Sequence, residues 1–126
     1  MDMPQEELMK IIKNFFDTVN EERQAWTFSR GGGEFPAVPR GKNQDYVAVP
    51  FWSTKEKAEE HVEIYVGLEV TPIPVDFLKT IILQDFVQHG ILFGFEWKSD
   101  SVGLDAPAQG VIENLKSQEP DIFSGT

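Results

Sequence analysis

Residues 46–56 read YVAVPFWSTKE, and this stretch decides the fold because a strand hands over to a helix inside it. Residues 46–51 are mostly β-branched or aromatic, with Val47 and Val49 on one face, and Pro50 marks the end of the run because it cannot donate to a ladder. Directly after Trp52, Ser53-Thr54-Lys55-Glu56 has the form of a capping box, in which a hydroxyl and a carboxylate satisfy exposed amides reciprocally. A helix therefore starts near Thr54. Its apolar face (Ala58, Val62, Tyr65) is thin, and Glu56, Glu59, Glu60 and Glu63 turn it mainly toward water.

Downstream, residues 68–73 (LEVTPI) alternate as a strand does. Pro74 opens a second helix, with Asp76 in its first turn and Phe77, Leu78, Ile81, Ile82 and Phe86 as a wide buried stripe. Gly90 suits a left-handed C-cap. Residues 91–97 (ILFGFEW) begin apolar on both faces, as a strand buried between helices does, and Gly94 would admit a closely packed helix. After a turn at 99–103, Asp105 and Pro107 signal a last helix with Val111, Ile112 and Leu115 as its face.

Upstream, Leu8, Ile11, Ile12, Phe15, Phe16 and Val19 recur at helical spacing, and residues 25–29 (AWTFS) read as a short strand. Between the first two strands Gly31, Gly32, Gly33, Pro36, Pro39 and Gly41 break the pattern as far as residue 44, predicting a solvated hairpin insertion. Arg30, Arg40 and Lys42 make this loop locally basic, a candidate anion-binding loop, although it lacks phosphate-loop spacing. The order is α-β-β-α-β-α-β-α. The expected class is α/β (α+β), with a four-stranded mixed sheet. Three strands, 46–51, 68–73 and 91–97, would run parallel through right-handed crossovers, and strand 25–29 would lie antiparallel beside 46–51. Residues 1–116 form one domain on this reading, and 117–126 a loose tail.

A chain of 126 residues that is 40% hydrophobic can bury one proper core. With no cysteine there is no disulfide, thiolate nucleophile or zinc knuckle. The 21 acidic against 11 basic residues give a formal charge of -10, which argues against nucleic acid and anionic membrane as partners. The apolar clusters at 81–83 and 91–95 are far shorter than a membrane span. The first residues lack a basic segment followed by an apolar run, so a cytoplasmic location is the default expectation.

Val49-Pro50-Phe51-Trp52-Ser53 with Ala58, Ile73-Pro74-Val75-Asp76-Phe77-Leu78, Trp26, and residues 90–97 closing on Trp97 before Gly103 together resemble the bacterial family catalogued as domain of unknown function 2750. The resemblance runs from about Phe15 to Leu115. The insertion at 31–44 departs from the family pattern. The family has no established activity, so the resemblance implies a fold and carries over no catalytic residue.

In open α/β sheets ligands bind beyond the carboxyl ends of parallel strands. Those ends carry Trp52, Ser53, Trp97 and Lys98, and the antiparallel first strand would bring Trp26 to the same edge. Trp26, Trp52, Ser53, Trp97 and Lys98 are therefore the candidate ligand or partner site; the alternative is that the tryptophans only cap the core. His61 is expected in solvent and His89 at a helix C-terminus, and neither has a partner at metal-ligand spacing, so no metal or cofactor is expected. Ser53 lacks the glycines of a nucleophile elbow. Glu96 is either a buried carboxylate or, as expected, a solvent-facing one. The sequence favours a non-enzymatic protein-binding or regulatory module for a basic partner, in one version an immunity-type protein covering a cationic toxin. The alternatives are a small-ligand sensor or enzyme with its pocket at the tryptophans, and a homodimer formed through an edge strand.

Overall fold

A computed structural model describes residues 5–31, 34–41, 43–98 and 103–116. Helix α1 (Gln5–Glu22) buries Phe15, Phe16 and Val19, one face of the helical repeat in the sequence. Arg23, at φ 63°, turns the chain straight into β1 (Gln24–Ser29). A short strand β2 (Val38–Arg40) precedes β3 (Tyr46–Phe51), and α2 (Lys55–Glu59) follows. Then come β4 (Glu69–Pro74) and a continuous helical run made of α3 (Val75–Ile81), a π-helical turn (Ile82–Phe86) and α4 (Val87–His89). Gly90, left-handed at φ 66°, closes it as its spacing predicted. Strands β5 (Leu92–Phe95) and β6 (Leu104–Pro107) lead into α5 (Ala108–Asn114).

The four-stranded sheet runs β2-β3-β5-β6, with β3 and β5 parallel and both outer strands antiparallel to their neighbours. The mixed sheet and the order of the expected elements match the sequence reading, but the parallel section holds two strands rather than three. Strand β4 pairs antiparallel with β1 in a separate two-stranded sheet, Gln24 opposite Pro74 and Ser29 opposite Glu69. Pro72 and Pro74 explain this. Alternate residues of a strand present their amides to the same edge, so two prolines spaced by two remove donors from one edge and exclude β4 from the middle of a sheet. The added strands β2 and β6 are both outermost and carry Pro39 and Pro107, in edge positions where a missing amide donor is tolerated.

Strands β3 and β5 have a core on each face. Val49, Phe51, Phe93 and Phe95 enter the larger one with Phe15, Leu78, Ile82, Phe86 and Val111. Phe51 and Phe93 stack at 4.4 Å, and Phe15 meets Phe95 edge-on at 5.1 Å. The intervening side chains Ala48 and Trp52 enter a second core with Phe28, Ala58 and Trp97. This two-sidedness is why residues 91–97 carry no polar face at their start. The two sheets meet at one backbone rung, where Trp26 and Trp52 exchange hydrogen bonds of 2.8 and 2.7 Å, so among the described residues β1 pairs backbone to backbone with the segment expected beside it only there. Thr27 Oγ1 adds a buried bond of 2.7 Å to the Pro50 carbonyl.

Two packing expectations change. The buried helical stripe is narrower than predicted: Val75, Leu78, Ile82 and Phe86 are buried, while Phe77, about 100° around the axis from Leu78, is 48% exposed. The space above Gly94 is filled by the Trp97 indole rather than by a helix, and a Cβ there would lie 2.6 Å from that ring.

Candidate functional site

Because β3 and β5 are parallel, their carboxyl ends fall together, and the residues that follow them, Trp52 and Trp97, meet in the second core. The backbone rung brings Trp26 beside them. The three tryptophans do gather, but Trp52 and Trp97 are 1% and 4% exposed and form a wall rather than an open rim. The Trp52 indole donates to the Trp97 carbonyl at 2.9 Å, and the Trp97 indole donates to Asp105 Oδ1 at 2.9 Å.

That second bond draws in the basic loop. Arg40 lies over the Trp97 ring, 4.1 Å from its centroid, and its Nε donates to Asp105 Oδ2 at 2.9 Å. Both side chains are largely buried. The Tyr46 hydroxyl also reaches Asp105, at 3.4 Å. Desolvation first, then the Asp105 charge, raises the Tyr46 phenol above its ordinary value. Arg30 is exposed and bonds through its backbone to Glu34 at 3.0 Å, and Lys42 lies outside the described residues. Arg40 thus serves the core cluster while Arg30 stays at the surface.

Ser53 and Glu96 differ most from expectation. The N-cap of α2 is Thr54, whose hydroxyl accepts from the Lys57 amide at 3.2 Å. Ser53 instead donates through both its amide and its hydroxyl to the Glu96 carboxylate, each at 2.7 Å, and Lys57 Nζ completes the clamp at 2.8 Å. Glu96 reaches inward because its backbone is left-handed, at φ 50°, which takes its side chain out of the strand alternation. Such a conformation costs a non-glycine residue about 1–2 kcal/mol. Its amide bond to the Phe51 carbonyl, 2.9 Å, and the three donors hold it there. Ser53 is 2% exposed and its proton points to a carboxylate already paired with lysine, so the Ser53–Lys57 approach at 3.5 Å is a clamp rather than a nucleophile with its base.

His61 was expected in solvent and is 4% exposed. Helix α2 stops at Glu59, so the chain folds back at His61, whose amide bonds the Ala58 carbonyl at 3.0 Å. The imidazole lies nearly parallel to the Trp52 indole, 4.8 Å between centroids. Its ring nitrogens have no hydrogen-bond partner among the described residues. His89, at the helix end as predicted, sits 3.0 Å from the Asp85 carboxylate.

These residues surround a cavity of about 480 Å³ lined by Ile11, Asn14, Trp52, Lys57, Glu60, His61, Glu96, Trp97 and Lys98. Of the residues singled out in the sequence, Trp52, Trp97 and Lys98 line it, Ser53 stands one hydrogen bond behind it through Glu96, and Trp26 is not in its wall. Among the described residues no group of three or more His, Asp or Glu is placed to hold a metal. A larger hollow of about 770 Å³ lies beside α1, but its amide side chain Asn20 is occupied by the Asn114 carbonyl and the Lys116 amide. The chemistry therefore concentrates at the tryptophan cavity.

One family model matches residues 12–115 of the chain. The chain belongs to the DUF2750 family, described as a protein of unknown function. No curated protein matches it. The DUF2750 match contains both cores and nearly all of the cavity wall, with only Ile11 falling one residue before it. No helix among the described residues is long and apolar enough to cross a membrane.

Proposed function

We propose that the protein is a non-enzymatic binding module that docks a basic protein partner on the segment 59–66. The observation that carries this reading is the exposure of Val62, Ile64 and Val66, at 49%, 54% and 82%, among the exposed carboxylates Glu59, Glu60 and Glu63. One exposed valine is ordinary, but three apolar side chains in five residues, ringed by acids, have the composition of a contact patch with a steering rim. The formal charge of -10 extends the same field over the whole molecule. An immunity-type role, in which the partner is a cationic toxin whose site is covered, is the specific form of this reading.

The test compares wild-type protein with Val62→Ser/Val66→Ser and Glu59→Lys/Glu63→Lys variants as immobilised baits, at low and high salt. Basic proteins retained by wild type at low salt, and lost with salt and in both variants, support the reading. Equal retention by all three baits overturns it.

A further inference from the structure

We propose that the cavity of about 480 Å³ beneath the tryptophans is a binding site for a small organic carboxylate with a planar apolar body. The argument begins with His61. This imidazole is 4% exposed as a residue, is stacked against Trp52 and lines the cavity, and its nitrogens, unpaired among the described residues, are not sealed in the core but open to whatever fills the space. What enters the cavity is what can satisfy it.

Charge selects the kind of group. The Glu96 carboxylate is saturated by the Ser53 amide, the Ser53 hydroxyl and Lys57, so that pair brings no net charge to the wall. Lys98 is exposed at the mouth and has no ion pair among the described residues, which leaves one available cation beside the imidazole. An ammonium and an imidazole N–H together fit an oxygen acceptor carrying one negative charge. Glu60 lines the same space, so a dianionic phosphate meets stronger repulsion than a monoanionic carboxylate does. Ile11 and the two indoles supply the apolar wall for the rest of the ligand. The site shares Glu60 with the docking segment but stands independently of that reading, because nothing in it requires a protein partner.

The experiment titrates the full chain with benzoate, benzamide and phenyl phosphate, three probes with one body and different heads. It follows the His61 imidazole resonances, assigned with a His89→Gln variant since the chain has two histidines. Benzoate should shift the His61 signals saturably, with a dissociation constant of about 1 mM as befits so small a ligand. Benzamide and phenyl phosphate should bind more weakly, and Lys98→Met should weaken benzoate about five-fold while Lys98→Arg does not. The proposal is overturned if benzoate leaves the His61 resonances unmoved, if phenyl phosphate binds more tightly than benzoate, or if Lys98→Met binds benzoate as wild type does.

Discussion

The indole Nε1 of Trp52 donates a hydrogen bond to the backbone carbonyl of Trp97, 2.9 Å away and 45 residues later in the chain. It ties together the ends of the two parallel strands and places the indole on which His61 stacks.

Replacing Trp52 should therefore have two separable effects. Trp52→Phe keeps an aromatic ring but leaves the Trp97 carbonyl without its donor, and should cost about 1–3 kcal/mol. Trp52→Ala also empties the second core and should cost about 3–5 kcal/mol. Urea unfolding followed by far-ultraviolet circular dichroism distinguishes the two, and a Trp52→Phe variant as stable as wild type would mean that the indole donor contributes nothing.

Arg40 and Asp105 form an ion pair whose side chains are 15% and 7% exposed. Removing one partner strands the other in the second core, so Arg40→Met or Asp105→Asn alone should destabilise by about 3 kcal/mol or more. The double variant should lose clearly less than the sum of the two. Additive losses in a double-mutant cycle would show that the pair is not coupled.

Glu96 sets a favourable clamp against an unfavourable backbone. Glu96→Gly relieves the left-handed strain of about 1–2 kcal/mol but loses charge-assisted bonds of about 1.5–3 kcal/mol each to Ser53. The glycine variant should be less stable than wild type. Glu96→Gln, which keeps the shape but turns one acceptor into a donor facing Ser53 or Lys57, should also lose stability, by about 1–3 kcal/mol. A glycine variant more stable than wild type would show that the strain outweighs the clamp.

Both tyrosines titrate above their ordinary value of 10.0. For Tyr65 the cause is burial, partly opposed by Arg40; for Tyr46 it is burial followed by Asp105. A folded-state value above the unfolded one means that the folded protein holds the proton more tightly. The resulting stability is intact below pH 10 and declines as pH rises from there through the folded values. Phenolate absorbance at 295 nm should appear with a midpoint above pH 10 in the folded protein, and Tyr46→Phe should flatten the alkaline loss of stability measured by urea unfolding.

Much of this architecture is written in local pattern. The strand-to-helix handover at 46–56, the first helix, the left-handed Gly90 and the two apolar faces of 91–97 all depend on neighbours a few residues apart, which periodicity and capping chemistry report directly. The edge position of β4 was also legible in principle, since Pro72 and Pro74 share one side of the strand. The site depended on distant relations. Arg40 finds Asp105 65 residues later, and the Glu96 carboxylate is turned to Ser53 by a left-handed torsion at a residue that is neither glycine nor asparagine, which its type does not announce. His61 is buried because α2 ends after Glu59, and a run of glutamates gives no stop signal there.

The single backbone rung between Trp26 and Trp52 governs how the molecule opens. Parting the two sheets breaks both of its hydrogen bonds, exposes the Thr27–Pro50 contact and uncovers the Trp52 indole in one event. The sheets are in this sense one cooperative unit despite sharing so few backbone bonds. The amides of Trp26 and Trp52 should then exchange with solvent deuterium only when the whole fold opens, as slowly as amides in the middle of β3 and β5.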